Sequence, residues 1–305
     1  MNNLDKNLLN AIAGLKEVPN GAINIRSNGQ AVYRHSSPNI LISSLPDKPG
    51  MKVEIKPGTR NESVHVPVIL TEPGFQDVVY NTFIVGEDAD VTIVAGCGIH
   101  NSCANTSQHD GIHEIIVKPG ARLKYVEKHY GEGTGGGKRV LNPTTLITIE
   151  EGGYAELEMV QIKGVDDTLR KTVAHVHEKG SLKIIERLLT QGEQQATSDI
   201  EVHLEGKDSS GQVLSRSVAQ EKSYQEFRAA LIGETACLGH VECDAIIMDQ
   251  ARIHSVPELL AEDADAVLTH EAAIGKIAGE QLIKLMSLGL TEKEAVDTIL
   301  KGFLR

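Results

Sequence analysis

The chain has no tryptophan, four phenylalanines and six tyrosines among 305 residues, so aromatics make up only 3% of it. A base-stacking platform for single-stranded nucleic acid needs more rings than that. Positive charge is also scarce. Against 42 acidic side chains there are 30 lysines and arginines, a formal charge of -12. A phosphate-backbone binder depends on a positive field, so no nucleic-acid partner is expected. No run approaches the ~18 uninterrupted apolar residues of a membrane-spanning helix. The opening MNNLDKNLLNAIAGLKEV lacks the basic-then-apolar layout of a secretory signal. Four cysteines are too few to hold a chain of this length as a disulfide scaffold. These absences point to a soluble cytoplasmic protein with reduced thiols.

What is present is an ordinary globular balance, 40% hydrophobic and 24% charged, which excludes wholesale disorder. Leu4, Leu8, Leu9, Ile12 and Leu15 fall at helical spacing, predicting one short helix within residues 1–20, ended by Pro19-Asn20-Gly21. Beyond residue 21 the period changes to short alternating runs, each broken by a small turn. VEIKPG (53–58), TFIVGEDADVTIVAG (82–96), HEIIVKPGARLKYVE (113–127) and TLITIEEGGYAELEMV (145–160) begin the series. AHVHEKGSLKIIERL (174–188), IEVHLEG (200–206), ALIGETACLGHVEC (230–243), AIIMDQARIHSV (245–256) and ELLAEDADAVLTH (258–270) continue it.

The turn markers sit near Gly58, Gly86, Gly120, Gly153, Gly180, Gly206, Gly233, Asp249 and Asp263. A repeated strand, turn and strand without intervening helices is the layout of a coiled stack of β rungs. One rung cannot bury its inward face alone, so neighbours must stack into a continuous core. A narrow coil interior favours Val, Ile, Leu and Ala, in keeping with the few aromatics. An antiparallel sandwich would also give period-2 strands with turns, and spacing alone leaves both open. After His270 the pattern turns helical, with Ile274, Ile277, Leu282, Leu285 and Met286 as a stripe and Gly289 as its stop. Thr291 and Glu294 form a capping box before Ala295, Val296, Ile299 and Leu300. These helices could cap an open last rung or offer an apolar surface to a partner. The expected units are therefore 1–20, 21–269 and 270–305.

The densest set of chemical groups is GCGIHNSCANTSQHDGIHE (96–114), which places Cys97, His100, Cys103, His109 and His113 in close succession. Thiolate and imidazole at such spacings can converge on zinc or iron, and Gly96, Gly98 and Gly111 would let the backbone curl around it. A polar surface insertion with solvated histidines and a thiol redox site are the alternatives. A second set is Cys237, His240, Cys243, His254, His270 and Glu271. Alternation puts Cys237, Gly239, Val241 and Cys243 on one strand face, with His240 opposite. Either cysteine can equally be a small buried hydrophobe, and His270-Glu271 a simple helix cap. His175 and His177 share a strand face, and stacked rungs could align them with His203. GEGTGGGKRV (131–140) is not a phosphate loop, because Glu132 and Arg139 stand where that motif needs Gly and Ser or Thr.

The runs ECDAIIMDQARIHSVPEL (242–259) and THEAAIGKIAGEQLIKLMSLGLTEKEAVDTILKGF (269–303) resemble the C-terminal signature of the SufB/SufD family of iron–sulfur cluster assembly proteins. The resemblance implies a right-handed parallel β-helix flanked by helices. It also implies a SufC-like ABC ATPase docked on the C-terminal helices, pairing of two β-helix subunits near their C-terminal ends, and recipient apo-proteins. The family's scaffold cysteine falls on Cys243 and its His-Glu pair on His270 and Glu271, so these three would hold a transient iron–sulfur cluster. Thr269 departs from the Glu that often precedes the histidine in SufB. The expected activity is assembly and transfer of a nascent cluster, with ATP hydrolysis in the partner and the chain itself no enzyme. A SufD-like structural partner that holds no metal is the alternative. The short length suggests a homodimer with two ATPase subunits, and Cys97–His113 a second site for iron or zinc.

Overall fold

The protein is described by a computed structural model over residues 3–17, 19 and 21–305. Among these, α1 (Asn3–Ala13) is followed by twenty strands and two further helices. The first turn of chain holds β1 (Ala22–Ser27), β2 (Gln30–His35), β3 (Ile40–Ser44) and β4 (Gly50–Ile55). Then come β5 (Arg60–Leu70), β6 (Gln76–Val85), β7 (Asp90–His100), β8 (Ser107–Val117) and β9 (Arg122–Glu132). Two short strands, β10 (Arg139–Leu141) and β11 (Thr144–Ile149), together fill one rung position beside β8. The coil continues through β12 (Tyr154–Lys163), β13 (Asp167–Val176), β14 (Ser181–Thr190), β15 (Gln195–Leu204) and β16 (Ser209–Ala219). It ends with β17 (Tyr224–Gly233), β18 (Cys237–Ile247), β19 (Arg252–Ala261) and β20 (Val267–Gly275), before α2 (Gly279–Ser287) and α3 (Glu292–Phe303).

From β5 onward the strands alternate between two sheets, and each pairs in parallel with its counterpart on the next rung. The result is a β-solenoid of about eight turns. Among the described residues only β1–β2 and β3–β4 pair antiparallel, and both sit at the first turn. The antiparallel sandwich is thereby excluded. Most of the alternating runs read from the sequence straddle a corner: Thr82–Val85 ends one sheet strand and Asp90–Gly96 begins the opposite one.

Inward positions follow the period of two. Ile93, Ile115, Ile147, Leu157, Ile184, Val202, Val213 and Leu231 lie in one continuous buried cluster. Each such side chain contributes roughly 1.5–3 kcal/mol when fully removed from water. The corners stack as well. Gly58, Asp88, Gly120, Gly152, Lys179 and Asp208 all take positive φ. Each donates its N–H to the corner of the next rung, from Gly58 to the Glu87 carbonyl through to Asp208 and the Ala236 carbonyl.

Helix α1 buries Leu8, Leu9 and Ile12 against Ile23, Ile25 and Ile69 on the outer face of the first sheet. It ends at Gly14, with φ of 65°, ahead of the expected stop, of which Asn20 lies outside the described residues. Gly96 and Gly98 are extended residues of β7 rather than points of curl. A Cβ on Gly96 would stand 2.8 Å from the Ile12 carbonyl oxygen, so the glycine is the seat of the helix.

The far end differs from expectation. β20 runs to Gly275, so His270 and Glu271 are strand residues and the helix begins only at Gly279. A helix-cap role for that pair is excluded. The Thr291–Glu294 capping box is present. The terminal helices leave the last rung open: Leu259, Leu260, Val267 and Ile274 on β19 and β20 stay exposed. The end of α3 instead reaches back to Arg187 on β14, whose guanidinium donates to the Arg305 carbonyl.

Candidate functional site

The residues of the 97–113 segment are distributed between the inside and the outside of the coil. Cys97 points inward from β7 and packs with Val68, Leu70, Ile99, Leu141 and Val165. His109 and His113 point inward from β8 and are buried. His100 stays at the surface, 3.5 Å from a Glu132 oxygen. Cys103 sits in the following loop, where its N–H and thiol both donate to the Asn101 side-chain oxygen. The five do not meet at one point. Gly111 lies between the two inward histidines, and a Cβ there would come within 2.8 Å of His113 Nε2 and 3.5 Å of His109 Nε2. Its role is to leave room for those rings. The glycine loop 131–137 stacks directly on 101–105, with Gly135 N–H donating to the Asn101 carbonyl and Gly137 N–H to that of Cys103. It is a fitted corner of the coil.

Those inward groups belong to a buried polar seam that sequence reasoning missed. Glu127 and His129 on β9, Arg170 on β13 and Glu186 on β14 are all buried at inward positions. Arg170 lies 3.4 Å from a Glu127 oxygen and 3.7 Å from a Glu186 oxygen. His129 Nε2 is 2.5 Å from Glu127, and its Nδ1 is 3.1 Å from the Gln161 oxygen. Burial alone would raise the Glu127 carboxyl, but Arg170 and His129 more than offset it and hold the group ionised. For Glu186 burial wins, and its carboxyl is raised. Burial also pushes the Cys97 thiol well up, with the Glu127 charge adding to the effect. A signal existed in the sequence: in RLKYVEKHY the inward alternation Leu123, Tyr125 passes without a break to Glu127 and His129.

At the last rung, β18 has the predicted facing, with Cys237, Gly239, Val241 and Cys243 inward and His240 outward. His240 Nδ1 is 2.8 Å from the Thr269 hydroxyl. Cys243 is buried, and its register partner on β20 is Ala272. His270 pairs with Val241, so it shares the inward face with Cys243, diagonally about 7–8 Å along the ladder. Glu271 pairs with Glu242 and so faces the other way, because successive strand residues alternate sides. Cys243, His270 and Glu271 therefore do not form one inward triad. Burial raises the Cys243 thiol, and the neighbouring Ser255 hydroxyl opposes this in part. His270 Nε2 is buried with no hydrogen-bond partner. Outside, burial first and then Asp244 and Glu271 raise the Glu242 carboxyl, the mark of a crowded acidic edge.

A thiol, an imidazole and a hydroxyl at an open rung, backed by carboxylates on the other face, offer soft and hard donors to a transition metal and to sulfide. Among the described residues no helix is long and apolar enough to cross a membrane.

Comparison with known proteins adds a family. The model described as the SUF system FeS cluster assembly, SufBD core domain, matches residues 69–303. An iron–sulfur cluster assembly SufBD family protein of Archaeoglobus fulgidus is 31% identical over 259 residues, 84% of this chain and 66% of that one. One from Methanothermobacter thermautotrophicus is 28% identical over 261 residues, 84% of this chain and 62% of that one. A third, from Pyrococcus horikoshii, is 37% identical over 246 residues, 79% of this chain and 53% of that one. The chain thus spans between about half and two thirds of the length of these relatives.

Proposed function

Since the chain belongs to the SufB/SufD family of iron–sulfur cluster assembly proteins, we propose that it is the scaffold on which a nascent cluster is built and from which it passes to recipient apo-proteins. The observation that carries this reading is the donor set at the last rung, where the Cys243 thiol neighbours the Ser255 hydroxyl and shares the inward face with His270, whose Nε2 is buried and unpartnered. The cluster is cargo, so its ligands have to hold iron and sulfide and later release them. Cys243 would supply the thiolate, His270 a weaker imidazole ligand, and Glu271 with Glu242 an outward carboxylate edge for incoming iron.

The raised thiol sets a condition on that chemistry. Only the thiolate is a nucleophile and ligand, so Cys243 has to be uncovered or brought near positive charge before it acts. Work done on the open end would supply this, and a SufC-like ABC ATPase docked on α2 and α3 is the source we propose. The unpaired edges of β19 and β20, with Leu259, Leu260, Val267 and Ile274 exposed, suit pairing with a second copy of the chain at the same end. Cys97, His109 and His113 would serve the interior seam rather than a five-ligand metal centre.

The burial of Cys243 also favours a second reading, a SufD-like partner that docks the ATPase and holds no iron. Anaerobic reconstitution with iron and sulfide separates the two. The scaffold reading expects a cluster chromophore that Cys243→Ala abolishes and Cys237→Ala retains. A wild-type protein that takes up no iron, or a Cys243→Ala protein with an unchanged spectrum, rejects it.

A further inference from the structure

On the outward face of the second sheet, two rungs bring histidines into register. His175 on β13 pairs with His203 on β15. The parallel ladder spaces them by about one strand separation, ~4.8 Å. Their rings stack with centroids 4.9 Å apart and planes inclined by 14°. Glu205, just beyond β15, places an oxygen 2.6 Å from His175 Nδ1. One ligand atom from each of His175, His203 and Glu205 falls within 4.8 Å of the others. Among the described residues no other group of three does so.

We infer that His175, His203 and Glu205 form a surface site for a divalent first-row transition metal of the zinc class. Two imidazoles and one carboxylate with an open fourth position are an established ligand set for such an ion. Ligand atoms about 2.0–2.1 Å from a tetrahedral metal stand about 3.3 Å apart. The observed spread is wider than this, so the two rings would turn out of their stack to close on an ion. All three side chains are partly exposed, so an ion enters from solvent without opening the coil.

The surroundings carry the second half of the argument. A metal-bound imidazole characteristically gives its other ring nitrogen to a carboxylate, which fixes the ring and raises its basicity. His203 has this support: Nε2 is 2.6 Å from Glu201, while Nδ1 faces Glu234 at 3.2 Å. Glu234 is thus within reach of the fourth position. His177 Nδ1 lies 3.8 Å from the second Glu205 oxygen. Here three carboxylates converge on two stacked imidazoles, and a bound dication would offset their charge. Nothing in this site overlaps the last rung, so it stands apart from the iron–sulfur reading.

The test uses the full chain stripped of metal. Zinc chloride is titrated by calorimetry, and cobalt(II) serves as the spectroscopic probe. The site predicts one equivalent of zinc that survives Cys243→Ala. It also predicts that the Cys243→Ala protein gives a cobalt spectrum free of sulfur-to-metal charge-transfer bands. In His175→Gln/His203→Gln, affinity falls by at least ~10-fold, the loss seen even for outer-shell partners. Both substituted residues face outward, and unchanged β-sheet circular dichroism verifies the fold. Wild-type protein that binds no zinc overturns the site. So does a double variant that binds as tightly as wild type, or a Cys243→Ala cobalt spectrum with thiolate bands.

Discussion

Arg26 and Asp77 close a two-point ion pair across the inside of the coil, with Nε donating to Oδ2 and Nη2 to Oδ1, each at 2.8 Å. Arg26 comes from β1 in the first sheet and Asp77 from β6 in the second, so the pair ties the two walls of the first rungs. His109 Nδ1 stands 3.3 Å from the same carboxylate. Burial alone would raise Asp77, but Arg26 and His109 hold it well below the usual carboxylate range. Removing one partner of a buried pair costs ~3–5 kcal/mol, whereas replacing both by apolar groups is often nearly neutral. Arg26→Met is therefore expected to lower urea stability by about 3 kcal/mol, and Arg26→Met/Asp77→Leu to recover most of it. Because the folded carboxyl is depressed, the wild-type contribution is complete above about pH 4 and is lost as pH falls below that. Equal stability of the single and double variants would contradict the pairing.

His113 supplies a second pH dependence in a different window. Burial lowers its imidazole to about 4, with His109, His129 and Arg170 adding to the effect and Glu127 opposing it. Asn81 Nδ2 is 3.3 Å from His113 Nδ1, and Phe83 and Tyr125 flank the ring. An unfolded histidine titrates near 6.5. Above that pH the ring is neutral in both states and its contribution is full. As pH falls from about 6.5 towards 4, the unfolded chain takes the proton first and stability is lost, by about 2 kcal/mol between pH 7 and 5. Urea unfolding of His113→Gln at those two pH values should show a flatter change than wild type. Parallel slopes for the two proteins would remove His113 from the account.

The parts that could be read in the sequence were those set by local period. Alternation assigned the two faces of β18 correctly, and the Thr291–Glu294 spacing located α3. The rung repeat emerged because corners and apolar alternation recur together. β16 went unread because its inward positions are largely small and polar, Ser209, Gly211, Ser215 and Ser217 among them. β20 read as helix beyond His270 because Ala272 and Ala273 favour helix, yet pairing with β18 imposes a strand. The Cys97–His113 cluster misled for a related reason. Nearness in sequence suggested convergence, whereas alternation and a corner send Cys97 and His113 inside and His100 and Cys103 elsewhere. The seam was hidden because Glu127 and Arg170 are 43 residues apart, and only the stacking of rungs brings them together.

The partner surface can be tested on α2 without disturbing the coil. This helix has no buried residue, and Ile283, Met286 and Leu288 are 69%, 44% and 73% exposed. By contrast, α3 buries Ala295 and Leu300, and its end is held by Arg187. Deleting residues 290–305 would therefore remove an anchor as well as a surface. Ile283→Glu/Met286→Glu changes the surface alone, and exposed positions of this kind usually alter stability by no more than about 0.5 kcal/mol. If α2 is where a SufC-like ATPase docks, two buried carboxylates at the contact should abolish co-purification of the co-expressed partner. The melting temperature and β-sheet circular dichroism should stay as in wild type. Retained co-purification would move the contact off this helix, and the open edges of β19 and β20 would be the next surface to vary.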